Sequence, residues 1–243
     1  MCRDVAVRLA EGQEVRDLAV GPELVRELLG PPRHRPDLPD RRMAPGVAVG
    51  LGTSPAGGEL VLVEVTRMPG TGKVRITGNL GPVASEAAHT AVSFVRSRTD
   101  RLHLDPEWIR AIDLHMHIPR ARAVQDSASL GVTMFCAVAS LLLEAPCRPD
   151  VAAVGELTLR GSVLPIRGIK AILLAAHRLG IREVLLPARN EPDLHEVPAE
   201  IRDEVRVHLI QRMDEVLPLV LSQPDHEEPP PSRTVPPPGE MRL

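Results

Sequence analysis

The period of the hydrophobic positions changes several times along this chain, and each change marks an element. Val5, Val7 and Leu9, then Leu24, Val25, Leu28 and Leu29, recur at helical spacing from Cys2 to about Gly30. The next segment, Pro31 to Arg42, is too rich in Pro and Arg for a regular helix or a central strand, so it reads as a linker with a domain boundary near residue 44. From Gly46 the stretches GVAVGL and ELVLVEVT read as strands, with Gly57 and Gly58 supplying a hairpin-like turn, and Lys73 to Gly78 continues as a third. Val83 to Arg98 carries Ala87, Ala91, Phe94 and Val95 at helical spacing, which predicts one amphipathic helix.

Ile112 to Ile118 alternates strictly and stops at Pro119, as a strand does. After a polar loop, the stretch SLGVTMFCAVASLLLEA from Ser129 is apolar nearly all round and predicts a buried helix. Val151 to Leu164 predicts two short strands around Arg160 and Gly161, and Ile169 to Leu179 a helix closed by Gly180. IREVLLP and RVHLI read as strands and MDEVLPLVLS as a last helix. Strands alternating with helices imply an α/β domain of roughly 175 residues. The stretch after Ser222 is dominated by proline and charge, which predicts a disordered, solvated tail.

Composition narrows the function classes. Hydrophobic residues make up 43% of the 243, but there are two Phe, one Trp and no Tyr, so the core must be aliphatic. A net charge of −3 with mixed signs, and almost no aromatics for base stacking, argue against nucleic acid as the main partner and against a membrane surface. Cys2, Cys136 and Cys147 are odd in number and lack metal spacing, so they read as reduced thiols. No stretch has the length of a membrane span, and the N-terminus carries no signal-peptide pattern. A soluble, intracellular protein is expected.

Four places invite chemistry. Gly70 to Lys73 reads GTGK, but Arg67 and Val74 stand where a phosphate loop needs Gly and Ser or Thr, so a turn between strands is expected and no nucleotide site. His115 and His117 share one face of a strand without a third ligand of matching spacing, so the default is hydrogen-bonded histidines; no metal or other cofactor is expected. Asp126-Ser-Ala-Ser129 leads into the buried helix, where a serine meets free N–H groups and the positive dipole end; the same position also suits an N-cap. Lys170 is one of only two lysines against 27 arginines. A buried lysine can be held neutral and arginine cannot, so Lys170 at a helix start is a candidate general base for a serine nucleophile.

Several stretches together resemble a known family. PGVAVGL followed by GGEL, then RMPGTGKVRITGNLG, IDLHMHIP, DSASLGVTM, GELTLRGSVLPIRGIKAILLAAHRLGI and VLLPARNEPDL resemble, in order and spacing, the proteolytic domain of Lon proteases over about Gly46 to Leu221. The resemblance implies a Lon-type α/β fold with mixed sheets and packed helices. It assigns Ser129 as nucleophile and Lys170 as general base of a serine endopeptidase, and Asp126 lies in the loop expected to help hold the oxyanion. CRDVAVRLAEG and LAVGPELVRELLG resemble the end of the helical subdomain of the family's ATPase module. Three parts follow: a helical remnant with linker at 1–44, the proteolytic domain at 45–221 and the tail at 222–243.

As partners the resemblance implies unfolded or damaged protein substrates and a homo-oligomeric six-membered ring; no nucleotide-binding sequence precedes the domain, so the chain is expected to be either a fragment of a longer ATP-dependent protease or a Lon-like protein served by a separate ATPase. It fits a cytoplasmic setting, with mitochondrial matrix or peroxisome as alternatives. An impaired assembly module is the rival expectation. Arg167 replaces a usual glycine, which would reshape the turn before Lys170 or set a cation beside it. Val154 replaces a usual threonine whose hydroxyl could orient the lysine, and Thr53 a usual tryptophan.

Overall fold

The computed structural model describes residues 3, 6, 7, 10–12, 21–30, 43–54, 57–78, 80–119 and 128–222. Two compact units are present, Met1–Asp37 and Leu38–Leu243. In the first, helix α1 (Pro22–Leu29) opens with proline in its first turn and stops at Gly30, whose φ is 77°; none of its residues is buried. The linker Pro31 to Arg42, the loop before Ser129 and the tail after Ser222 lie outside the described residues.

The second unit is a mixed α/β body. Its first sheet holds β1 (Val47–Ser54), β2 (Gly57–Pro69), β3 (Val74–Thr77) and β4 (Ile112–His117) in the order β1-β2-β4-β3. The pairs β1/β2 and β2/β4 are antiparallel and β3/β4 is parallel. Alternation sets the faces: Ile112, Leu114 and Met116 of β4 are buried, while Asp113, His115 and His117 share the other face. Gly57 and Gly58 do not form the hairpin turn; they lie inside β2, paired with Ser54 and Thr53. The reason for Gly58 is a helix packed on it, described below.

Helices α2 (Pro82–Arg96), α3 (Pro106–Arg110) and α4 (Gly131–Leu143) follow. All of α4 is buried except Leu141 and Leu143. Its two polar side chains are satisfied: the Thr133 hydroxyl donates to Ala153 O at 2.5 Å, and Ser140 Oγ donates to Ala145 O at 2.6 Å while accepting the Gly46 N–H. Phe94 of α2 meets Phe135 of α4 edge-on, centroids 5.6 Å apart, within a core that is otherwise mainly aliphatic.

The second sheet is parallel, in the order β5 (Val151–Ala153), β8 (Glu183–Pro187), β9 (Arg206–Ile210). Between β5 and β8 come the hairpin β6 (Glu156–Leu157) and β7 (Val163–Leu164), then helix α5 (Ile169–Arg178). The stretch from Val151 to Leu164 thus holds three short strands rather than two. A 3-10 helix (Ala188–Glu196) and α6 (Ala199–Glu204) connect β8 to β9. The last helix is divided into a 3-10 turn, Met213–Glu215, and α7 (Leu217–Val220), because Pro218 lacks an N–H and suits only a first helical turn.

Candidate active site

Ser129 lies in a 3-10 turn, Ala128–Leu130, that runs directly into α4. One residue ties the turn down at the serine and again three residues later: the Ser129 carbonyl accepts the Gly155 N–H at 2.7 Å, and the Gly155 carbonyl accepts the Val132 N–H at 3.1 Å. Gly155 has φ 150°, and a Cβ there would lie 2.7 Å from Val163 Cγ1, so glycine is required. Strand β1 closes in from another side. A Cβ on Gly50 would lie 2.6 Å from Thr133 Oγ1 and 2.9 Å from Leu130 Cδ2, so only glycine lets the serine turn come this near the strand.

Lys170 is the second residue of α5. Its helix start is seated by the far end of the β1/β2 hairpin. A Cβ on Gly58 would lie 2.1 Å from Ala171 O, and one on Gly168 2.7 Å from Thr53 Cγ2, so two glycines permit the approach. Arg178 Nη2 donates to Gly58 O at 2.8 Å and pins the helix's other end. Positions 50 and 53 point to opposite faces of the strand, about 10 Å apart along it. The serine turn and the lysine helix therefore flank β1, an edge strand, one on each side.

The turn before the lysine accepts Arg167 without strain. The left-handed position belongs to Gly168, φ 79°, and among the described residues only His103 and Glu144 are non-glycines with positive φ. Arg167 itself is exposed. Val154 is fully buried beside Gly155 and hydrogen-bonds only through its backbone, donating to Leu185 O at 3.1 Å, so no hydroxyl is supplied from this position.

One expectation fails in the chain as it stands: Lys170 is exposed, not buried. Helix α5 turns its apolar side, Ile169, Ile172, Leu173 and Ala176, to the core, and position 170 falls on the solvent side. Lys170 stands in the first turn of α5, which holds no acidic residue.

The structure adds a residue that sequence reasoning missed. Asn190 is buried at 3% exposure and clamps the backbone of Ile166, accepting its N–H at 3.0 Å and donating to its carbonyl at 2.8 Å. Asp193 holds the same amide at 2.6 Å. Asn190 thereby fixes the chain four residues before Lys170, and the only sequence signal was an asparagine within PARNEPDL.

The remaining candidates resolve simply. Gly70 to Lys73 forms the turn between β2 and β3, and Asp113 fastens it by accepting the N–H groups of Thr71 and Lys73, each at 2.7 Å. These bonds hold the Asp113 carboxyl below its ordinary value. His115 and His117 both hydrogen-bond Thr77. Asp126 lies outside the described residues.

Residues 19–223 match the family model described as the Lon protease (S16) C-terminal proteolytic domain. The chain belongs to the Lon protease family. It is 55% identical over 224 residues to Lon protease 2 of Sorangium cellulosum, a match covering 92% of this chain and 28% of that protein. It is 42% identical over 229 residues to Lon protease 1 of Syntrophobacter fumaroxidans, covering 94% and 28%, and 43% identical over 219 residues to the Lon protease of Roseiflexus castenholzii, covering 90% and 27%. The chain thus spans under a third of the length of these Lon proteases. Among the described residues no helix is long and apolar enough to cross a membrane.

Proposed function

We propose that this chain is the peptide-cleaving part of a Lon-type serine endopeptidase, with Ser129 as nucleophile and Lys170 as general base. The observation that carries the proposal is that both residues stand at helix starts held against the edge strand β1, by glycines that leave no room for a side chain. Neutral Lys170 takes the Ser129 hydroxyl proton as the oxygen attacks a peptide carbonyl. Backbone N–H groups at the serine turn, with a second from the loop around Asp126, receive the oxyanion. Lys170 then passes the proton to the leaving amine, and water hydrolyses the acyl-enzyme by the reverse path.

Lys170 is exposed, so the desolvation that a lysine base needs would be supplied by substrate lying over α5 or by a neighbouring subunit. A homo-oligomeric ring, six-membered in the family's manner, meets that need. Unfolded or damaged proteins would be its substrates, an ATPase its partner, and the cytoplasm its setting; free, buried Cys136 and Cys147 fit a reducing compartment.

Cleavage of an unfolded protein substrate by the purified chain tests this. Ser129→Ala and Lys170→Ala should each lower the rate by about 10³-fold or more. Lys170→Arg keeps charge and bulk but offers no neutral form, and cleavage surviving that change overturns base catalysis by residue 170.

The rival, a ring module that cuts nothing, is favoured by the exposed Lys170 and the apolar Val154. A peptidyl boronate separates the two. It should modify Ser129 in an active dyad and leave a scaffold unlabelled.

A further inference from the structure

We propose that Thr77, His115 and His117 form a binding site for a divalent transition-metal ion on the outer face of the first sheet. His115 Nε2 and His117 Nδ1 approach one atom, the Thr77 hydroxyl oxygen, at 2.9 and 2.8 Å. The convergence is built by register. Positions 115 and 117 are two apart on β4 and so project to the same face, and Thr77 is the partner of His117 in the parallel β3/β4 pair.

The hydroxyl carries one proton, so it can donate to at most one of the two rings and must accept an N–H from at least one. No such arrangement uses the lone pairs of both imidazole nitrogens. A metal ion does use both. Imidazole nitrogens bind zinc at about 2.0–2.1 Å, so an ion held by both rings takes the place between them that the Thr77 oxygen now fills, and that oxygen must turn aside to become a ligand. All three residues are at least partly solvent-exposed, which leaves an open path for the ion and for water ligands.

The surroundings set the chemistry. Glu64 stands opposite His117 in the antiparallel β2/β4 register, on the same exposed face, and places a negative charge beside the site. Arg75 is the register partner of His115 and places a positive one on the other side; Asp113 is engaged by the turn at Thr71 and Lys73. Among the described residues no group of three or more His, Cys, Asp and Glu side chains is arranged to hold a metal. The ion therefore has two imidazoles, the threonine oxygen and water. Imidazole suits copper and zinc over magnesium and calcium, with Cu²⁺ held more tightly than Zn²⁺.

Nothing in this site depends on Ser129 or Lys170, so it stands or falls apart from the peptidase proposal. The test is titration of the full chain with Zn²⁺ by calorimetry and with Cu²⁺ by electron paramagnetic resonance. The expected result is one equivalent bound, two nitrogen ligands in the copper spectrum, and loss of that equivalent in the His115→Ala/His117→Ala variant. His89→Ala, at an exposed histidine on α2, should keep it. Thr77→Val retains both rings and should weaken binding about tenfold. In the unaltered chain, Zn²⁺ should also shield His115 and His117, but not His89, from diethylpyrocarbonate, a readout that needs no variant. Absence of a stoichiometric ion, its survival in the double variant, unchanged affinity in Thr77→Val, or equal modification of all three histidines overturns the site.

Discussion

At the residue scale, the side chains visible in the sequence were those with unusual identity. Lys170 stood out against 27 arginines, and Ser129 stood out by its place before an apolar helix. Asn190 did not, because an asparagine beside Glu-Pro looks like any turn residue until the chain brings it back to Ile166. Asn190→Ala strips both backbone groups of Ile166 of their partner. The expected loss is about 1–3 kcal/mol in urea unfolding, with a fall in peptide cleavage that Asn190→Asp does not restore, since a carboxylate cannot donate to the Ile166 carbonyl. The cysteines carry a second prediction. Burial pushes the Cys147 thiol up to about 11 and raises Cys136 further out of reach. Alkylation at pH 8 followed by peptide mapping should leave both unmodified in the folded chain and label both in denaturant.

At the scale of elements, period was a good guide wherever one face is buried and the run is long. Strict alternation placed β4, and the all-round apolar run placed α4, because in both cases burial alone decides the pattern. Short elements escaped. The five residues of α3 are too few to show a period, and the 3-10 helix from Ala188 to Glu196 contains Pro192. Gly57 and Gly58 were read as a turn because turns are glycine's commonest use, whereas Gly58 answers to the backbone of α5 lying on it, a contact across more than a hundred residues. The seat of α5 yields a prediction. Gly168→Ala forces a side chain into a left-handed φ, at about 1–2 kcal/mol, and drives its Cβ against Thr53 Cγ2. Cleavage should fall more steeply than thermal stability, and adding Thr53→Ser, which removes that methyl, should recover part of the rate.

For the whole molecule, the core runs from Met43 to Val220, and no residue of α1 is buried. A chain starting at Leu38 should therefore keep its thermal midpoint to within about 2 °C, and a larger drop would show that the first unit supports the second. The same body has a polar anchor on its parallel sheet. Glu183 accepts Arg148 Nη2 at 2.5 Å and His208 Nε2 at 2.6 Å, and these bonds, the arginine's foremost, hold its carboxyl below the ordinary 4.5. A carboxyl lowered by folding contributes stability above its unfolded value and loses it as pH falls through the folded one. Glu183→Gln should cost about 1 kcal/mol at neutral pH, and urea titrations should show the gap from wild type closing only below pH 4.5.

The two helices that present Ser129 and Lys170 differ in how much of themselves they hide. Helix α4 is enclosed on nearly every side, whereas α5 leaves Lys170 and Leu174 facing outward. In a saturation mutagenesis screen scored for folding, the serine's carrier should reject almost every change along its length, while the lysine's carrier should accept many on its outer face. Variation that tunes specificity or assembly is therefore freer on the lysine's carrier than on the serine's.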